Sequence, residues 1–208
     1  MQMPLKVSLA AHDIACERGG RMLFQGLSFA LEPGEGLLVT GPNGAGKTSL
    51  LRQIAGLLPL AAGRLSVAGA EADMSIAELC HYVGHLGGIK TALSVRENVA
   101  FWASFLEDGE RSLDETLKGF ALDALADLPA GLLSAGQKRR LALARLFAAK
   151  RPIWLLDEPT ASLDDRSTVL INRAIALHLH SGGVAIVASH TPSNLLKHKL
   201  ALGKEHVA

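Results

Sequence analysis

An α/β fold built on a parallel sheet is what this sequence predicts, and three observations predict it. The stretch Gly41-Pro42-Asn43-Gly44-Ala45-Gly46-Lys47-Thr48 fits the phosphate-loop pattern G-x-x-x-x-G-K-[ST] at every fixed position. An apolar strand, Gly36 to Thr40, precedes it, and a helix from Ser49 to Ala55 follows and stops at Gly56, which is the setting in which that pattern carries chemistry. Two further apolar runs, Ile153 to Leu156 and Val184 to Ser189, show no alternation, as strands covered on both faces do not.

The loop's residue types suit phosphate. Gly41, Gly44 and Gly46 let the backbone take turns closed to residues with a Cβ. The loop's N–H groups then face phosphate oxygens, with the positive end of the helix behind them, which makes Gly41 to Ser49 the candidate nucleotide-binding stretch. Lys47 brings an ammonium to the β- and γ-phosphates, and the Thr48 hydroxyl is a ligand for Mg²⁺. A glycine turn ahead of a helix with a surface lysine is the plainer reading. The flanking strand and helix favour the phosphate loop.

Composition sets the outer bounds. The 208 residues suffice for one domain, or one with an inserted lobe. With 49% hydrophobic and 20% charged residues a substantial core is available, and a net charge of +1 gives no electrostatic case for nucleic acid as a partner. No apolar run reaches the ~18 residues of a membrane-spanning helix. Met1 to Ala11 carries only Lys6 and a short apolar patch, so no secretory signal is expected. Cys16 and Cys80 stand far apart without a C-x-x-C, and read as buried thiols in a reducing, cytosolic compartment.

Along the chain, Leu9 to Cys16 and Gly26 to Leu31 read as strands punctuated by Gly19-Gly20 and Pro33-Gly34. Gly63 to Gly69 is a short strand. Ser75 to Leu79 reads as a helical turn with Ser75 and Glu78 at capping-box spacing. Tyr82 to Leu86 leads into Gly87-Gly88, a flexible joint. Ser94 caps a helix from Val95 to Leu106 with Glu97 at the box position. Val95, Val99, Trp102 and Leu106 share one face, widened by Phe101 and Phe105. That face is either core of a lobe or a docking surface. Arg111 to Leu128 suggests two short helices ended by Pro129. Ser134 opens a long helix through Ala149, Asp165 to His180 is another, and Pro192 to Lys199 reads as a closing helix.

Polar residues end both later apolar strands. Ligands gather at the carboxyl ends of strands in open α/β sheets. Asp157 is thereby placed for a Mg²⁺ shell, Glu158 to polarise an attacking water, and His190 to reach the same phosphate; each alone also reads as a helix-capping acid or an exposed strand-end histidine, and the phosphate loop upstream favours the chemical reading. Leu133-Ser134-Ala135-Gly136-Gln137 is a small-residue loop opening a helix, either a second anion-binding N-terminus or a plain N-cap.

Taken together, the phosphate loop, Leu133 to Gln137, Ile153 to Glu158, Ser162-Leu163-Asp164 and His190 stand in the order of the Walker A, signature, Walker B, D-loop and switch-histidine motifs of the ABC ATPases, and the chain resembles that family over nearly its whole length. Ala135 stands where the signature usually has glycine. The resemblance implies a RecA-like P-loop NTPase core of about residues 1–74 and 146–208, an N-terminal antiparallel β subdomain and an inserted α-helical subdomain of about 75–145. It implies ATP and Mg²⁺, with Thr48 and Asp157 on the metal and Glu158 and His190 catalytic. It also implies a head-to-tail dimer in which Ser134, Ala135, Gly136 and Gln137 of one subunit close the site of the other, with Asp164 in the D-loop. Within the family the chain looks like the ATP-binding subunits of haem exporters of cytochrome c biogenesis, on Cys16-Glu17-Arg18, Leu23 to Phe29, Gly84 to Thr91, Leu141 to Leu146 and a short C-terminus.

Two departures stand out. Where the family stacks an aromatic on adenine, Arg18 falls here, either stacking as a guanidinium or lying solvated. The family's Q-loop glutamine falls at Leu86, which cannot ligate a metal, and the adjacent His85 is not assigned that role. His178 and His180, two apart on a helix, share no face, and with His198 and His206 suggest no metal site. The expectation is an ATP hydrolase, peripheral on the cytoplasmic side of the inner membrane, powering separate membrane-embedded transporter subunits. A soluble ABC ATPase acting in assembly is the rival, and a module that senses ATP without hydrolysing it is a third reading.

Overall fold

The computed structural model describes residues 6–70, 74–84, 87–106, 112–161 and 163–203. Its contacts divide the chain into two units, Met1–Tyr82 with Arg151–Glu158 and Ile175–Ala208, and Val83–Lys150 with Pro159–Ala174.

The first unit holds two sheets. Long strands β1 (Ser8–Arg18) and β2 (Arg21–Leu31) form a hairpin about Gly19-Gly20, and β4 (Ala62–Ala68) pairs antiparallel on the other side of β1, giving the order β2-β1-β4. Both pairings of β1 shift register near Asp13, which has a φ of +47° and whose N–H donates to Ser28 Oγ at 2.9 Å. The second sheet has the order β5-β6-β7-β3-β8, from β5 (Cys80–Val83), β6 (Ile153–Asp157), β7 (Val184–Ala188), β3 (Gly36–Thr40) and β8 (His198–Ala201). The pairs β6/β7, β7/β3 and β3/β8 are parallel. Strands β6 and β7 are buried at every residue, as their unalternated sequences predict. Helix α1 (Lys47–Ile54) follows β3 across the phosphate loop. Leu9, Ile14, Leu31, Val39, Leu50, Leu51, Ile54, Ile153, Leu155 and Ile186 belong to one core cluster drawn from both sheets and α1.

The second unit is helical: α2 (Val95–Phe105), α3 (Leu113–Gly119), α4 (Ala135–Ala148) and the start of α5 (Asp165–His180). Both capping boxes form. Ser94 Oγ accepts from Glu97 N–H at 3.1 Å, and Ser134 Oγ from Gln137 N–H at 3.2 Å. Val95 and Val99 are buried, Phe101 and Trp102 half-buried, and Phe105 is 64% exposed, so the aromatic face of α2 is core at its start and surface at its end.

Three local expectations need correcting. Pro192 to Lys199 is not a helix. It turns into β8, which adds to β3 with Leu37 opposite His198 and Thr40 opposite Ala201. Eight residues gain little as an isolated helix, whereas the edge of β3 offers a ladder of hydrogen bonds, and His198 and Leu200 alternate inward against exposed Lys199 and Ala201. Of the two helices expected before Pro129, one is α3, and the other is a single 3₁₀ turn at Asp123–Leu125, with another 3₁₀ turn following at Ala130–Leu132. Ser75 to Leu79 is a capped turn as expected, with Leu79 N–H donating to Ser75 O at 3.3 Å and Ser75 N–H to Glu78 Oε2 at 2.8 Å. Gly87-Gly88 is a packed joint: a Cβ on Gly87 would lie 2.8 Å from Ala142 Cβ, and one on Gly88 3.3 Å from the Trp102 ring. Both have positive φ, so glycine supplies conformation and clearance together. Leu86, His85, Arg111, Ser162 and His206 lie outside the described residues.

Candidate nucleotide site

The site is assembled at the carboxyl ends of β3, β6 and β7. From β3 the chain enters the loop at Gly41, with φ +142°, where a Cβ would sit 2.5 Å from the Leu202 carbonyl. The strand missed in the sequence therefore supports the loop from below: Leu202 N–H donates to Thr40 O at 2.8 Å. From above, β2 packs against it, since a Cβ on Gly46 would meet the Phe24 ring at 3.1 Å and Leu23 Cβ at 3.3 Å. Gly46 is the left-handed N-cap of α1, with no side-chain cap, so the first N–H groups of the helix open toward the loop.

Lys47 is 9% exposed and turns back over the loop that carries it. Its Nζ donates to Gly41 O at 2.8 Å and to Pro42 O at 3.2 Å, and stands 3.3 Å from His190 Nε2. One residue on, Thr48 Oγ1 donates to Asp157 Oδ2 at 2.7 Å, and Asp157 is 5% exposed. A hydroxyl and a carboxylate side by side are hard oxygen donors. They fit Mg²⁺, which takes one or two protein oxygens and completes its shell with water and phosphate. No cluster of three or more His, Cys, Asp or Glu suited to a metal occurs among the described residues.

Glu158 has a φ of +48°, a left-handed conformation that costs a non-glycine residue about 1–3 kcal/mol. Its N–H donates to Ala188 O at 2.8 Å, extending the β6–β7 ladder one step and holding the turn that directs its carboxylate to the cleft. His190 follows β7, with Nε2 3.7 Å from Glu158 Oε1 and 3.3 Å from Asn43 Oδ1.

These side chains line one cleft of about 360 Å³: Pro42, Asn43, Gly44, Gly46, Lys47, Thr48, Ser49, Asp157, Glu158 and His190, with Arg18 and Leu23 from the β1–β2 hairpin and Arg52 from α1. All belong to the first unit. Gly41 and Ala45 shape the loop from behind, and Ala45 is buried. Leu23 and Arg52 were not singled out in the sequence. Arg52 had a signal, standing four residues after Thr48 and hence on the same helical face. Its Nε lies 3.4 Å from Tyr82 Oη, and this contact, with Asp157 nearby, raises its pKa. Beneath the site Cys16 is fully buried, and burial pushes its thiol up, partly offset by a hydrogen bond with Ser49.

The remaining predicted residues sit in the second unit. Ser134 caps α4. Gln137 returns its Oε1 to Ser134 N–H at 2.8 Å, and Ala135 and Gly136 occupy the first two helical positions. Asp164 Oδ1 accepts from Ser167 N–H at 2.7 Å at the start of α5, and these Ser167 hydrogen bonds lower its pKa.

Comparison with known proteins agrees with this arrangement. Residues 24–161 match the ABC transporter family. The chain is 46% identical to the cytochrome c biogenesis ATP-binding export protein CcmA of Nitrobacter winogradskyi over 94% of its own length and 98% of that protein's. It is 53% identical to the CcmA protein of Rhodospirillum rubrum, over 87% and 79%. Among solved structures, an ABC transporter ATP-binding protein of Pyrococcus furiosus superposes with a TM-score of 0.80 at 22% identity, covering 94% of this chain and 97% of that one. A dimeric ATP-binding cassette in a post-hydrolysis state, bound to ADP and phosphate, gives 0.81 at 22% identity, covering 93% and 94%. At that identity these two establish the fold, and the CcmA relatives establish the branch. The chain therefore belongs to the ABC transporter family, as an ABC ATPase of the cytochrome c biogenesis ATP-binding export (CcmA) type.

Proposed function

We propose that this chain binds and hydrolyses ATP with Mg²⁺ at the cleft around Lys47, and that the hydrolysis drives an export or release step of c-type cytochrome biogenesis through separate membrane-embedded subunits. The observation that carries the reading is the convergence of Lys47, Thr48, Asp157, Glu158 and His190 on one cleft from three strand ends.

Lys47 exchanges the Gly41 and Pro42 carbonyls for phosphate oxygens, and its near-complete burial strengthens that contact. Thr48 Oγ1 and Asp157 are the oxygens that would hold Mg²⁺, which supplies charge neutralisation across the phosphates. Glu158 orients the attacking water and accepts its proton, and His190 donates to the terminal phosphate. Arg18 and Leu23 form the base-side wall of the cleft, a guanidinium and an apolar side chain in place of the usual aromatic.

The α4 N-terminus serves a second copy of the chain. Its capping box engages the N–H of Gln137, leaving the Ala135 and Gly136 N–H groups directed out of the helix end, where an anion is favoured. This supports a head-to-tail dimer with two shared sites. No helix among the described residues is long and apolar enough to cross a membrane. In this reading the membrane path belongs to other chains and the subunit works at the cytoplasmic side of the inner membrane, which the likeness to ATP-binding export proteins supports.

The test uses Glu158→Gln, which keeps the site's shape and removes the base. The variant should bind ATP, lose turnover by about 10²-fold or more, and form an ATP-dependent dimer that brings down a polytopic membrane protein from gently solubilised membranes. Recovery of soluble partners alone would overturn the transport reading in favour of an assembly factor. Unchanged turnover in Lys47→Ala would overturn the phosphate-loop assignment itself.

A further inference from the structure

One ring nitrogen of His190 is asked to do two incompatible things. Three polar atoms approach Nε2: Lys47 Nζ at 3.3 Å, Asn43 Oδ1 at 3.3 Å and Glu158 Oε1 at 3.7 Å. An ammonium only donates, so beside Lys47 the nitrogen must present its lone pair. An amide oxygen and a carboxylate only accept, so beside Asn43 and Glu158 the nitrogen must carry a hydrogen. A neutral imidazole satisfies one side or the other according to its tautomer. Only the Nε2–H form can donate from that atom to a phosphate oxygen. In the other form His190 becomes one more acceptor holding Lys47, alongside the Gly41 and Pro42 carbonyls at 2.8 and 3.2 Å.

We propose that Asn43 is a positioning residue for His190: its side-chain oxygen holds the imidazole as the Nε2–H tautomer, ready to donate to phosphate, and denies Lys47 a third tether beside the two carbonyls of its own loop. This deepens the ATP-hydrolysis reading and rests on it for its consequence, though not for the geometry. Asn43 thus acts twice, as backbone in the phosphate loop and as side chain on the histidine. Glu158 assists from its longer distance, so removing Asn43 weakens the preference without abolishing it.

The experiment is ¹⁵N-imidazole NMR of the full nucleotide-free chain, at an alkaline pH where the ring ¹⁵N shifts no longer change with pH, with the His190 signals assigned by their loss in His190→Gln. In the unaltered chain Nε2 should carry the hydrogen. Losing one hydrogen bond of ordinary strength in Asn43→Ala should lower the ratio of Nε2–H to Nδ1–H by about 2- to 10-fold. Asn43→Asp presents oxygen whichever way it turns and should keep the unaltered ratio or raise it. Asn43 is exposed, so these variants fold, and the amide spectrum checks it. An equal ratio in Asn43→Ala would overturn the proposal. So would a bare Nε2 in the unaltered chain that gains its hydrogen in Asn43→Asp, because the amide would then be facing the ring with its nitrogen. In turnover, Asn43→Ala should lower kcat by a similar factor, and the same change made on His190→Gln should have an effect below about twofold, the non-additivity expected of two residues acting as one. Should Lys47→Ala leave turnover intact, the ATP-site reading fails, whereas the tautomer ratio, measured without nucleotide, stands or falls separately.

Discussion

His178 makes stability fall on acidification in a way one substitution can isolate. The residue lies near the end of α5, 6% exposed, with its ring stacked on Trp154 at 4.0 Å between centroids and 9° between planes. Its Nε2 lies 3.1 Å from Val184 O, and a Cβ on Gly183 would fall 2.3 Å from the ring, so the imidazole has no room to move aside. Burial drives the pKa down from 6.5 to about 4, against the carbonyls of Val184 and Pro152, which pull it up. The folded value lies below the unfolded one, so folding favours the neutral ring. The stability it brings is complete above pH 6.5 and is lost as pH falls from there toward 4. At about 1.4 kcal/mol per unit, the loss between pH 7.5 and 4.5 is about 3 kcal/mol. His178→Phe keeps the stack and loses both the hydrogen bond and the titration. At pH 7.5 it should cost about 1 kcal/mol, lowering the Tm by about 2–4 °C for a chain of this size. At about pH 4.5 the order should reverse, with the variant equal to the unaltered chain or more stable. Other groups titrate alike in both proteins and drop out of the difference. The assay is thermal unfolding followed by far-UV circular dichroism, which avoids quenching of Trp154 by a charged imidazole. Parallel Tm curves across that range would refute the argument.

Three further outcomes follow from the site and its supports. Thr48→Val removes the hydroxyl beside Asp157 and should raise the Mg²⁺ concentration needed for half-maximal turnover by about 10-fold or more, with nucleotide binding in the absence of Mg²⁺ little changed; a metal titration of ATPase rate reads it. Arg18→Trp should tighten binding of a fluorescent ATP analogue by about 2- to 10-fold through a cation-free stack on the base, and Arg18→Ala should weaken it, whereas equal affinities in all three would place Arg18 in solvent. Gly88→Ala forces a Cβ at positive φ to within 3.3 Å of the Trp102 ring and 3.4 Å of Arg145 Nη1, and should destabilise the protein by about 1–3 kcal/mol in urea unfolding.

What could be read from the sequence divides along physical lines. The phosphate loop was legible because its pattern fixes residue type at each position: glycine where a Cβ would strike Leu202 or Phe24, and lysine and threonine where the pattern demands them. β6 and β7 were legible because a strand covered on both faces shows as an unalternated apolar run, here Ile153 to Leu156 and Val184 to Ala188. The capping boxes of α2 and α4 were legible because both partners lie within one turn of each other. What escaped was set at long range. Nothing local in Ser193 to Leu200 says strand rather than helix; the decision is made by the open edge of β3, some 160 residues earlier in the chain. The left-handed Glu158 escaped because a glutamate gives no sign of positive φ; Ala188, on the neighbouring strand, fixes it. These two misses meet at the same place, since β8 leads into the Leu202 carbonyl that braces Gly41, and β7 ends in the residue that braces Glu158. The motif residues name the side chains of the cleft, and the strands around them, which carry no motif, fix where those side chains stand. A substitution in β8 that frees the edge of β3, such as Leu200→Pro, should therefore impair nucleotide binding without touching any residue of the cleft, because Leu202 would no longer be held beneath Gly41.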